Sequence, residues 1–143
     1  MIDRSATYCN CLYYSANALA RTITRLAEVA FSPTGLAPSY AFLLMSVNHQ
    51  PEGITPTELS EIMMLTPSTV TRLVDRMEGK GLVTRASEGR NTIIRPTKAG
   101  LELQPRIKEA WRDLKESYAA ILGPEADELA ACIYRTTKTL EAV

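Results

Sequence analysis

A single histidine, His49, serves the whole chain, and neither the cysteines nor the carboxylates gather at metal-ligand spacing. Also missing are a Gly-rich phosphate loop and a nucleophile set beside a base, so no catalytic role, metal or cofactor is expected. The three cysteines, Cys9, Cys11 and Cys132, are odd in number and make no disulfide framework. No apolar run approaches the ~18 residues of a membrane span. The opening MIDRSATYCNC lacks the basic-then-apolar order of a leader. A cytoplasmic location with no membrane partner is therefore the expectation.

Net charge is absent as well, since 16 Lys and Arg balance 16 Asp and Glu. Spread evenly, that balance would argue against nucleic acid, but it is not even. Between Thr66 and Lys98 stand seven basic residues (Arg72, Arg76, Lys80, Arg85, Arg90, Arg95, Lys98) and three acidic ones (Asp75, Glu78, Glu88), a net of +4 on a remainder of −4. A basic module on an acidic frame suits local phosphate contact with repulsion elsewhere. The length, 143 residues with 45% hydrophobic, suffices for one domain with its own core, or one protomer of a dimer.

The stretch TPSTVTRLVDRMEGKG, Thr66 to Gly81, organises the rest. Val70, Leu73, Val74 and Met77 recur at i, i+3, i+4 and i+7, the single stripe by which a helix packs on a core. Ser68, Thr69, Thr71, Arg72, Asp75 and Arg76 then face outward. Thr66 is a good N-cap, Pro67 fits the first helical position, and Gly81 suits the left-handed stop. A free N-terminus beside Ser68 and Thr69 favours phosphate, because orphan N–H groups and the helix dipole act together.

Residues 54–65 read as a shorter helix before it, with Thr55, Pro56 and Glu58 forming a capping box and Leu59, Ile62 and Met63 an apolar side. Only Leu65 and Thr66 then separate the two, the spacing of a helix-turn-helix. After Gly81 come two β-prone runs, 82–86 and 91–95, around Ser87-Glu88-Gly89-Arg90, a hairpin with Arg90 at or near its tip. That order of elements is a winged helix.

The segment ELSEIMMLTPSTVTRLVDRMEGKGLVTR, followed by EGRNTIIRPTKAG, resembles the DNA-binding core of the multiple-antibiotic-resistance regulator (MarR) family of bacterial transcription regulators. The family's helix-end pattern is matched by Met77, Glu78, Gly81, Leu82 and Val83. Its wing motif, Asp-x-Arg with a later Leu-Thr, becomes Glu88-Gly89-Arg90 and Pro96-Thr97. The match covers roughly residues 38–103 well and the flanking helices more loosely. The resemblance implies a mostly α fold (α+β), a winged helix-turn-helix with a small β-hairpin wing and long N- and C-terminal dimerisation helices. A single domain over residues 1–143 is expected, its core at about 38–100 and its dimerisation helices at about 6–31 and 98–141.

Residues 6–31 read as one long helix with a face rich in small residues, stopped by Pro33-Thr34-Gly35. Residues 38–50 read as a second helix with Tyr40, Leu43, Leu44 and Val47 buried. Thr97 caps a third that runs to about Leu122 and should kink at Pro105. Beyond Gly123, the last helix is expected to turn Leu129, Ile133 and Leu140 inward. Long amphipathic helices outside the DNA module suggest a homodimer whose two recognition helices read half-sites of a pseudo-palindrome.

The function expected is that of a dimeric repressor on a double-stranded DNA operator, released by a small aromatic or lipophilic effector. Thr66, Ser68, Thr69, Thr71, Arg72, Arg76, Arg85, Arg90 and Arg95 are the candidate DNA contacts, with Arg90 entering the minor groove. Tyr13, Tyr14, Tyr40, His49 and Trp111 are candidate effector-pocket residues; plain core or interface packing is the competing reading of each. Cys9 and Cys11 raise a thiol-sensor alternative, since the family's organic-hydroperoxide-sensing branch has a reactive cysteine near this point. Aligning on Tyr14-Ser15-Ala16 puts that cysteine on Asn10, and the branch's second-helix tyrosine on Ala37. Cys132 is expected in a core or interface. A winged helix used only for protein contacts is the other alternative.

Overall fold

The computed structural model describes residues 3–143, which divide into two compact units: residues up to Ala27 together with Arg112–Val143, and Glu28–Trp111. The second carries the winged helix. Helix α1 (Leu12–Phe31) is followed by a 3-10 turn, Ser32–Thr34, closed by Gly35 at φ 74°, a left-handed conformation that glycine adopts without cost. Helix α2 (Pro38–Asn48) is apolar nearly all round, and Ala41, Leu43, Leu44, Met45 and Val47 are all buried. A helix of that composition must be enclosed. It is met by α3 (Pro56–Met63), α4 (Pro67–Gly79), α5 (Lys98–Glu102) and strand β2 (Asn91–Pro96).

Strand β1 (Val83–Glu88) pairs antiparallel with β2, in register from Val83 opposite Pro96 to Glu88 opposite Asn91, leaving Gly89 and Arg90 as a two-residue turn. Gly89 at φ 64° supplies the positive φ that such tight hairpin turns require. Ile54 does not start α3, as the sequence pattern implied. It pairs with Ile94 instead, each amide donating to the other's carbonyl at 3.0 and 2.8 Å, and so adds a one-residue third strand to the wing.

Gly100 allows a close approach. A Cβ there would collide with the Leu82 carbonyl and press on Leu44. Thr97 secures the same junction, its hydroxyl donating to the Gly81 carbonyl at 2.7 Å and accepting from the Gly100 amide at 3.1 Å.

The long helices differ from the pattern in three ways. The first does not run from residue 6: Arg4–Tyr8 is a 3-10 turn capped by Asp3, Cys9 and Asn10 turn the chain, and α1 starts at Leu12. Small polar residues offer the backbone local partners there, which competes with the helix. The helix after Thr97 does not merely kink. It divides at Leu103 into α5 and α6 (Gln104–Leu122), because Pro105 has no N–H to continue the ladder. Third, α7 (Glu125–Glu141) buries only Ala126; Leu129, Ile133 and Leu140 are exposed, not inward, and Cys132 is exposed with them. Among the described residues of the helical unit nothing covers that stripe.

Candidate nucleic-acid interface

Helix α3 begins as its residues dictate: the Thr55 hydroxyl accepts from the Glu58 amide at 3.2 Å and the Glu58 carboxylate accepts from the Thr55 amide at 3.0 Å. It ends at Met63, two residues short of the expected 65. Met64 takes a left-handed φ of 53°, so the turn is Met64, Leu65 and Thr66. Ser60 ties the turn down, accepting from the Leu65 amide through its carbonyl at 3.1 Å and donating through its hydroxyl to the Leu65 carbonyl.

Helix α4 then starts under Thr66, whose hydroxyl accepts from the Thr69 amide at 3.4 Å and lies within hydrogen-bond distance of the Ser68 and Thr69 hydroxyls. The Thr71 hydroxyl donates to the Pro67 carbonyl at 3.0 Å. Its inner stripe is complete, Val70, Leu73, Val74 and Met77 all being buried. At its end Leu82 donates to the Met77 carbonyl and Gly81 to Glu78, both at 3.0 Å, a Schellman closure around Gly81 at φ 74°. Both ends of α4 are therefore set by local chemistry, and its outer face is fixed with them.

On that face Ser68, Thr71, Arg72 and Arg76 are exposed and Thr69 is half-buried. Arg72 and Arg76 have no ion-pair partner among the described residues. Asp75, which lies between them, is taken up by Arg85 of β1 at 2.5 Å, and the same Arg85 nitrogen reaches Glu78 at 3.0 Å. Those two hydrogen bonds, Asp75's first, raise the Arg85 guanidinium above its ordinary range. Arg90 is exposed at the wing tip. Arg95 pairs with Glu88 and donates to the Glu52 carbonyl at 2.9 Å. Lys80 and Lys98, which are not among the candidate contacts, are exposed and also lack ion-pair partners among the described residues.

The remaining candidates are dispersed. Tyr13 and Tyr14 are exposed at the start of α1, the Tyr14 ring 5.0 Å from that of Tyr8. Tyr40 is half-buried on α2, and His49 is exposed at its C-cap. Trp111 stands edge-on to Phe42 at 5.9 Å, and Phe42 continues to buried Phe31 at 5.4 Å. Cys9 and Cys11 are exposed, and the Cys9 thiol donates to the Asn10 side-chain carbonyl at 3.6 Å. No cluster of three potential metal ligands occurs among the described residues. No described helix is long and apolar enough to cross a membrane.

A helix-turn-helix whose second helix exposes two arginines, followed directly by a hairpin with arginine at its tip, defines a winged helix-turn-helix protein. The model of the MarR family matches residues 34–91. The chain is 20% identical over 127 residues to the uncharacterized HTH-type transcriptional regulator YybA of Bacillus subtilis strain 168, a match spanning 86% of this chain and 84% of that protein. It superposes on a cysteine-to-serine mutant of Escherichia coli MarR complexed with operator DNA with a TM-score of 0.75 and 24% identity, over 97% of this chain and 99% of that one. CouR from Rhodococcus jostii RHA1, bound to p-coumaroyl-CoA, is similar at a TM-score of 0.72 and 22% identity, over 94% of each chain. The family model spans the helix-turn-helix and the first strand of the wing, and the chain as a whole shares the winged helix-turn-helix fold of these proteins.

Proposed function

We propose that this chain is the protomer of a homodimeric transcription regulator that binds a pseudo-palindromic operator and acts as a repressor released by a small effector. One observation carries the reading: among the described residues Arg72 and Arg76 of α4 have no ion-pair partner, while Asp75 between them is neutralised by Arg85. A helix so arranged can approach phosphates and guanine edges without an acidic side chain opposing it. Thr66, Ser68 and Thr69 at its N-terminus meet backbone phosphates, Thr71, Arg72 and Arg76 meet bases or backbone in the major groove, and Arg90 reaches the minor groove. Pairing rests on the exposed apolar stripe of α7, which a second copy would cover.

Effector release is supported by the acyl-CoA held by CouR, a protein of the same fold. In the winged unit Tyr40 and Trp111 are the residues whose replacement would blunt that response. Regulation would act through the spacing of two recognition helices, since both half-sites must be engaged together. No catalytic role is assigned, and a regulator of chromosomal DNA works in the bacterial cytoplasm. The thiol-sensor alternative keeps only the exposure of Cys9 and Cys11 in its favour.

The test is binding to DNA from upstream of the protein's own coding region against a scrambled duplex, at about 0.15 M salt with a salt titration. Selective binding is expected. Replacing Arg72 by Ala should cost about 1–3 kcal/mol and relax one base pair if it reads guanine, or weaken all duplexes alike if it holds phosphate. Equal weak binding to both duplexes by the unmodified protein would overturn the reading.

A further inference from the structure

Between Thr66 and Lys98 there are three carboxylates, and two arginines hold all of them. Arg85, on β1, spans Asp75 and Glu78, which stand three residues apart on one side of α4. Its side chain is only 28% exposed, less than either partner. Arg95, on β2, pairs its Nη1 and Nη2 with the two Glu88 oxygens at 2.8 and 3.1 Å, and its Nε donates to the Glu52 carbonyl. Every nitrogen of that guanidinium is engaged. Three of its five N–H groups are thereby committed, and the paired Nη edge that would grip a phosphate bidentately is taken by Glu88.

The placement of the two is as informative as their partners. Each stands five residues from Arg90, one on either strand. Arg85 ties the wing to the last turns of α4, and Arg95 ties it to the loop before α3, where the Gly53 backbone lies so close that a Cβ would meet Ile93 and approach Arg95. Two ties to different parts of the body fix the direction in which the tip projects. They also neutralise carboxylates that would otherwise stand near phosphate and repel it.

We propose that Arg85 and Arg95 are positioning residues of the wing, which orient Arg90 and neutralise Asp75, Glu78 and Glu88, and that neither touches DNA. This rests on the DNA-binding reading above. A direct contact and an indirect one separate in a mutant cycle, because only an indirect one depends on the acids.

The experiment measures operator affinity for Arg85→Ala in the unmodified background and again with Asp75→Asn and Glu78→Gln in place. Arg95→Ala is treated in parallel with Glu88→Gln. Arg85→Ala is expected to weaken binding about tenfold alone, within the range of coupled neighbours, and less than about twofold once the acids are amides. Arg90→Ala should also lose most of its own effect when Arg85 is already gone. An equal loss from Arg85→Ala in both backgrounds would overturn the proposal and return Arg85 to the DNA contacts.

Hydrogen exchange of the DNA-free protein is the second readout, and it decides the question even if no duplex is bound. Faster exchange confined to residues 83–96 in Arg85→Ala is expected, with α2 unchanged. Unaltered wing exchange would contradict a clamp, whereas failure of the unmodified protein to bind any duplex would count against the regulator reading alone.

Discussion

The winged unit and the helical unit solve the burial of apolar residues in opposite ways. In Glu28–Trp111 the side chains of Leu43, Leu44, Val47, Ile54, Leu59, Val70, Val74, Met77, Val83 and Ile94 are all essentially inaccessible. In the other unit Leu12, Leu19, Ile121, Leu122, Leu129, Ile133 and Leu140 all remain exposed, and little beyond Ala27, Leu114 and Ala126 is buried. One region is finished within a single chain. The other carries the same amphipathic pattern with its second half missing, which is what a helix evolved against a partner looks like when read alone.

The largest expected effect falls on the unfinished region. Replacing Leu129 and Ile133 together by Asp should convert the protein to monomers in sedimentation, and operator affinity should drop by about 10²- to 10⁴-fold as the two half-sites lose their linkage. If the variant stays dimeric, the contrast between the units is broken. In the finished region Leu44→Ala should destabilise by about 2–5 kcal/mol, through lost burial and the cavity left behind, in denaturant unfolding of the winged unit's signals. A loss below about 1 kcal/mol would mean that this core is looser than its burial indicates.

Smaller effects sharpen the junction between recognition helix and wing. Thr97→Ala removes the cap of α5 and its tie to Gly81, and should cost about 1 kcal/mol in the same measurement, with Thr97→Ser recovering most of it. The smallest expected effect concerns pH. Arg95 holds the Glu88 carboxyl below its ordinary value, chiefly through their hydrogen bond. A carboxylate depressed by folding adds stability that is complete above its unfolded pKa and lost as pH falls through the folded one. Wing amide shifts should therefore titrate below the usual glutamate range, and Glu88→Gln should abolish that titration. A Glu88 that titrates at its ordinary value would remove this tie from the wing.

The parts of this fold that were legible in the sequence are those written locally. The Thr55 box, the Thr66-Pro67 start, the Gly81 stop and the Gly89 turn are each decided by residues a few positions apart, so their pattern alone sufficed. The extra strand at Ile54 is one residue long and has no period to read. The start of α1 at Leu12 was hidden because nothing between Arg4 and Cys11 is a strong helix breaker. At the site, Arg72, Arg76 and Arg90 could be placed from helix spacing and turn position. The partners of Arg85 and Arg95 could not, since Asp75 lies ten residues from Arg85 and Glu52 lies 43 from Arg95. Charge alone cannot tell an arginine that meets DNA from one that holds the protein together, and only the fold brings those acids within reach.

The most direct measurement is the stoichiometry and footprint of the complex on the native upstream duplex. Two chains per duplex are expected, protecting two symmetric half-sites about one helical turn apart. One chain on one half-site, at concentrations where the free protein is fully folded, would contradict the division of labour between a winged unit that meets DNA and a helical unit that pairs.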